Sequence, residues 1–99
     1  MLFRSKKENI QTITDPINKV MKMRGVTFDW KANKTRSMGV IAQEVENVIP
    51  EIVDSDEKGE KTVSYNSIIG LLIEAIKEQQ EEIENLKIRL NKYSNEQKE

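Results

Sequence analysis

The sequence predicts an α+β fold: a small head with short helices and a β-hairpin over residues 1–65, followed by a long C-terminal helix over residues 66–99 that forms a coiled coil. Three observations predict it. From Ile69 to Tyr93 apolar residues recur at alternating spacings of three and four, with no proline to interrupt them. Two short stretches, 51–54 and 61–65, read as strands on either side of a polar run that contains Gly59. Upstream, the hydrophobic period changes from two at Val26–Phe28–Trp30 to helical spacing at Ile41, Val45, Val48 and Ile49.

Taken in order, residues 1–13 are basic and then mixed, and read as extended or irregular. Thr14-Asp15-Pro16 has the form of a helix start. Asp15 is suited to cap free backbone N–H groups, and Pro16 fits the first helical position. Ile17, Val20 and Met21 give a short apolar face, Arg24 suits the negative helix end, and Gly25 is the expected stop. Val26, Phe28 and Trp30 are expected to face inward from a strand, and residues 31–37 to form a loop. Residues 39–41 read as a short extended piece before a helix that Pro50 ends. A hairpin over 51–65 follows; because two strands alone are marginal, it should pack on something. Ser64 or Asn66 is placed to cap the long helix.

Composition bounds the chemistry. Of 99 residues, 36% are apolar and 33% charged, which favours a modest core that self-association would help to stabilise. There is no cysteine and no histidine, which removes disulfides, thiolate sites, the Ser-His-Asp triad and most zinc sites. No cofactor or metal is expected. No run approaches the roughly 18 apolar residues of a membrane span, and no signal peptide is visible. Residues 1–36 carry nine basic against three acidic side chains, and residues 37–99 seven against fourteen. A basic first third can attract nucleic acid, but little aromatic interleaving and no recognised motif accompany it, so the acidic remainder is the expected counterpart.

The long helix carries the strongest pattern. With Ile69 at heptad position a, the a positions are Ile69, Ile76, Ile83 and Leu90, and the d positions are Leu72, Gln79, Leu86 and Tyr93. This is the predicted oligomer interface, and the flanking positions are largely charged. Ile68, Leu71, Ile73 and Ala75 broaden the apolar face in the first turns, so the helix is expected to be globular there and to project as a coiled coil from about 76 to 93, with a frayed polar tail. Gln79 is a polar break of the kind that fixes register, and Glu82 at g can pair with Lys87 at the next e. The heptads alone fit two strands as well as three.

Several blocks together resemble a known family: Lys7-Glu8-Asn9-Ile10, Gly25-Val26-Thr27-Phe28-Asp29-Trp30, Met38-Gly39-Val40-Ile41-Ala42-Gln43-Glu44-Val45-Glu46, Ile49-Pro50-Glu51-Ile52-Val53, Val63-Ser64-Tyr65-Asn66 and Glu74-Ala75-Ile76-Lys77-Glu78. In order and spacing, over roughly residues 5–90, they resemble the intramolecular chaperone (peptidase S74) domain of phage tailspikes, tail fibres and endosialidases. The resemblance implies a homotrimer that registers an upstream β-rich fibre of the same polypeptide during folding. It implies virus-encoded action in the host cytoplasm during virion assembly, with retention at the virion tail as a further option. It also implies self-cleavage by a Ser-Lys pair. Lys7 matches the family lysine, the general base by resemblance, but the serine position holds Leu2 and the following aspartate is replaced by Phe3. Ser5 stands at the wrong spacing. Without a hydroxyl at Leu2 the family reaction lacks its nucleophile, and no self-cleavage is expected. A plain coiled-coil adaptor, with neither chaperone nor protease activity, is the alternative reading.

Overall fold

The computed structural model describes residues 6–97, and Leu2, Phe3 and Ser5 lie outside them. The chain folds as α+β: helix α1 (Pro16–Met21), strands β1 (Val26–Asp29) and β2 (Arg36–Gly39), helix α2 (Ala42–Glu46), a 3-10 turn (Pro50–Ile52), strands β3 (Val53–Ser55) and β4 (Lys61–Val63), and helix α3 (Tyr65–Gln97). The strands form two separate antiparallel hairpins, β1-β2 and β3-β4.

Pro16 opens α1 as expected and is buried there. Asp15 does not cap it. Its backbone is left-handed (φ 53°, ψ 48°) instead of the extended form a capping residue takes. Its carboxylate accepts from Asn18 Nδ2 at 2.9 Å and 3.2 Å instead. Nor does Gly25 stop the helix. α1 ends at Met21, where the N–H groups of Lys22 and Met23 bond back to the carbonyls of Lys19 and Val20 and tighten the last turn.

The first hairpin is the main departure from the expected fold. Arg36 and Ser37, expected in a loop, join Met38 and Gly39 in β2, which pairs with β1 in the register Val26–Gly39, Thr27–Met38, Phe28–Ser37 and Asp29–Arg36. The turn is set by polar chemistry. Asn33 Oδ1 accepts the N–H of Thr35 at 3.0 Å, Lys34 is left-handed (φ 59°), and its N–H bonds to the carbonyl of Trp30 at 2.8 Å. Trp30, expected to face inward, lies past the end of β1 and is half exposed, its ring edge-on to Phe28 at 5.0 Å between centroids.

The second hairpin forms as expected but with shorter strands: Pro50–Ile52 makes a 3-10 turn, so the first strand starts at Val53 instead of Glu51, and the second ends at Val63. Asp56 Oδ1 accepts from the N–H groups of Lys58 and Glu60, each at 2.9 Å, and Gly59 supplies the left-handed residue (φ 82°) that the turn needs. β4 runs directly into α3 through Ser64. The Ser64 Oγ accepts the N–H of Ser67 at 3.3 Å, so Ser64 is the cap. Asn66 already lies inside the helix.

The core is small: among the described residues Val45, Ile49, Ile68, Leu71 and Ala75 are buried, with Pro16 of α1. Val45 and Ile49 come from α2 and the turn after it. Ile68, Leu71 and Ala75 follow at i, i+3 and i+7 along α3, one helical face, against which α1 packs. The Cδ1 of Ile13 also reaches the helix near Gly70, 3.8 Å from where a Cβ would lie.

Candidate functional site

The helix α3 presents two different faces. Ile68, Leu71 and Ala75 are buried, and Gly70 and Glu74 beside them are half-buried. In the heptad frame these are positions b, c, f and g. The other side carries positions a, d and e: Ile69, Leu72, Ile73 and Ile76 are all exposed. At 100° per residue the covered arc and the open arc are opposite each other. Head packing therefore leaves the predicted seam clear. Further along, Gln79, Ile83, Leu86, Leu90 and Tyr93 continue the open stripe, and every described residue from Gln79 onward is exposed.

The free part of α3 carries little support of its own. Gln80 Nε2 bonds Glu84 Oε1 at 2.8 Å, and Lys87 stands 3.7 Å from Glu84. Exposed pairs of this kind contribute only tenths of a kcal/mol. A helix of that length standing alone in water is marginal, so the stripe is what a partner would stabilise.

The head holds the second notable arrangement, built around residues 38–46. Two glutamates on α2 tie it in different directions. Arg24 grips Glu44 with two bonds of 2.8 Å, from Nε and from Nη2, linking the α1–β1 connection to α2. The side-chain hydrogen bonds, and with them the opposite charges, raise the Arg24 pKa and lower that of Glu44. Lys61 Nζ holds Glu46 at 2.7 Å and 2.9 Å, linking β4 to α2. Gly39 sits where an added Cβ would come within 2.8 Å of Tyr65 Oη, so the tyrosine closes over the backbone there. Beside it lies an open groove of about 680 Å³, lined by both hairpins and by residues 40–43. Trp30 and Met38 contribute from the first hairpin, Val63 from the second and Tyr65 from α3.

Lys7 is exposed in the irregular segment before α1. Leu2, the position that the resemblance pairs with it, lies outside the described residues. Among the described residues no cluster of acidic side chains could hold a metal ion, and no helix is long and apolar enough to cross a membrane.

The block from Gly39 to Glu46, whose residues 40–43 line the groove and which contains α2, lies inside a stretch that matches a known family. The profile of the chaperone of endosialidase family (Peptidase S74) matches residues 4–54. The chain belongs to the chaperone of endosialidase family. It is similar to the long tail fiber protein Gp37 of Enterobacteria phage K3, with 35% identity over 94 residues that cover 85% of this chain and 8% of that protein. The Gp37 of Enterobacteria phage T2 is equally similar, at 35% over 94 residues and 7% of its length. The Gp37 of Enterobacteria phage M1 is 37% identical over 83 residues, 75% of this chain and 33% of that protein. The chain thus spans a small part of each relative it matches.

Sequence reasoning located the open stripe and the head block. It missed the β1-β2 hairpin, the groove and both glutamate ties. Asn33 was the available signal for the hairpin, since an asparagine followed two residues on by a free N–H favours a turn. The two ion pairs join residues 15 and 20 apart and leave no local pattern.

Proposed function

We propose that this chain is the C-terminal intramolecular chaperone of a phage tail fibre, and that it brings three copies of the fibre polypeptide together and sets their register during folding. The observation that carries the proposal is the two-sided α3: the head occupies one face, and an apolar stripe more than three heptads long is left open on the other. Membership in the chaperone of endosialidase family and similarity to tail fibre proteins supply the context.

The division of labour falls into a head over residues 1–65 and a helix over 66–99, with the coiled-coil segment at about 76–93. Three strands are favoured over two by Ile73. At position e and exposed, it widens the open face to three positions of the heptad around residues 69–76. A helix that faces two neighbours buries a wider arc than one that faces a single partner, whereas a strict a/d seam is narrow. Trimerisation ahead of fibre folding raises the local concentration of three β-rich chains whose non-local pairing is slow. The chaperone acts in the host cytoplasm as the virion is assembled. It does not cleave itself by Ser-Lys chemistry, because Leu2 offers no hydroxyl for Lys7 to activate.

Sedimentation equilibrium over a concentration series tests the assembly. A trimer is expected. A monomer at every concentration would defeat the proposal, and a dimer would favour a simple coiled-coil adaptor. Refolding of a fused fibre segment with and without this chain tests the chaperone role: equal yields of fibre trimer would defeat it.

A further inference from the structure

We propose that the outer edge of β2, together with the groove beside it, is a docking site for an extended β-segment of the fibre polypeptide, which adds to the first hairpin as a third strand. The proposal rests on the chaperone reading above and names the part of the head that touches the client.

The register of the ladder identifies the free edge. Trp30 donates to the carbonyl of Thr35, which makes that pair and every second pair along the ladder hydrogen-bonded: Phe28 with Ser37, and Val26 with Gly39. Arg36 and Met38 fall between them. Their N–H and C=O groups therefore point away from β1, and no backbone hydrogen bond outside the ladder reaches either residue among those described. The β3-β4 hairpin forms its own sheet and does not complete this edge.

The side chains around the edge match such a guest. Met38 is 76% exposed and Trp30 55%. With Phe28, Val63 and Tyr65 they line the groove of about 680 Å³. An unpaired edge reads extended backbone, and an apolar groove beside it takes every second side chain of the added strand. A two-stranded hairpin gains from a third strand, and an unpaired edge is otherwise a template for unwanted pairing.

Chain length points to the occupant. The matched stretch is 8% of the K3 relative and 7% of the T2 relative, so most of those polypeptides lies outside it. A segment of the same polypeptide is tethered, and a tether supplies an effective concentration in the millimolar range, at which a short edge suffices for binding.

Trp30 is the one tryptophan of the chain and sits in the groove, so it reports directly. The probe is a peptide of about eight residues alternating valine and threonine between terminal lysines, within the usual length of a strand. Titrated into the full chain, it is expected to shift Trp30 emission to the blue with saturation, and to slow amide exchange at Arg36 and Met38 by about tenfold or more. Two further peptides carry N-methyl groups on alternate amides, in opposite frames. A strand paired on one edge loses binding in one frame and keeps it in the other. Equal binding of both methylated peptides, loss of both, or no emission shift up to millimolar peptide would overturn the proposal. Sedimentation of the same samples separates the two readings: a trimer that ignores the peptide sinks the edge site and leaves the assembly reading standing, whereas a monomer sinks the assembly reading first.

Discussion

At the scale of single residues, charge and close contact decide more than propensity does. Asp15 shows this: the sequence offers it as a cap, but its left-handed backbone sends the carboxylate to Asn18. A capping residue is legible only if its backbone is, and one residue's φ is not written in a pattern. Gly39 is the opposite case. Nothing in the sequence marks it as crowded, yet Tyr65 Oη stands 2.8 Å from the place of its missing Cβ. Gly39→Ala is expected to swing Tyr65 aside at a cost of about 1 kcal/mol, the low end for an overpacked site, because the ring is half exposed and free to move. Urea denaturation checks the cost, and a change in Trp30 emission checks the movement. The Arg24–Glu44 pair gives a pH prediction. Glu44 is held below its ordinary value by Arg24, so the folded form binds a proton there less readily than the unfolded one. Its contribution is fully present above the unfolded carboxylate range and is lost as the pH falls through the lowered folded value. The raised pKa of Arg24 acts only at pH values where a guanidinium would begin to titrate. Acid titration of wild type against Glu44→Gln is therefore expected to converge at low pH and to separate above the carboxylate range.

At the scale of elements, α3 carries two faces that a single hydrophobic stripe would have merged, one buried on the head and one open. The sequence revealed a broad apolar face in the first turns, but it did not say how that face divides between head and partner. The division came from Ile73. The sequence groups it with Ile68, Leu71 and Ala75, yet it lies on the open side, because position e neighbours a, while c and g lie across the helix. Two substitutions separate the roles. Leu71→Ala, at a side chain 2% exposed, is expected to destabilise the head by about 2–5 kcal/mol in thermal or urea unfolding. Ile76→Ser, at one 64% exposed, is expected to leave the head intact and to weaken association, read as a higher dissociation constant in sedimentation. Ser64→Ala is expected to cost about 1 kcal/mol by releasing the first turn of α3. The second hairpin was legible because Asp56 and Gly59 lie close together in the chain. The first was not, since residues 35–39 lack the alternation that marks a strand and gain their pairing from β1.

At the scale of the whole molecule, the described chain extends over 69 × 40 × 23 Å, a head at the root of a rod. Circular dichroism is expected to follow this shape. Diluting the chain below the dissociation constant of the proposed assembly should melt the helix beyond Gln79 and spare the head signal, because the residues beyond it lack tertiary support. How the head is mounted has a consequence for helical phase. β4 passes into α3 through Ser64 alone, so the head has no swivel, and its azimuth around the rod is fixed by residue count. Insert seven residues after Lys77 and the rod grows by about 10 Å while the head stays within about 20° of its place relative to the stripe. Insert two, and the stripe turns by about 200°, so that the head overhangs the side on which the proposed partner rods would pack. Length is thus negotiable in this molecule, but angle is not.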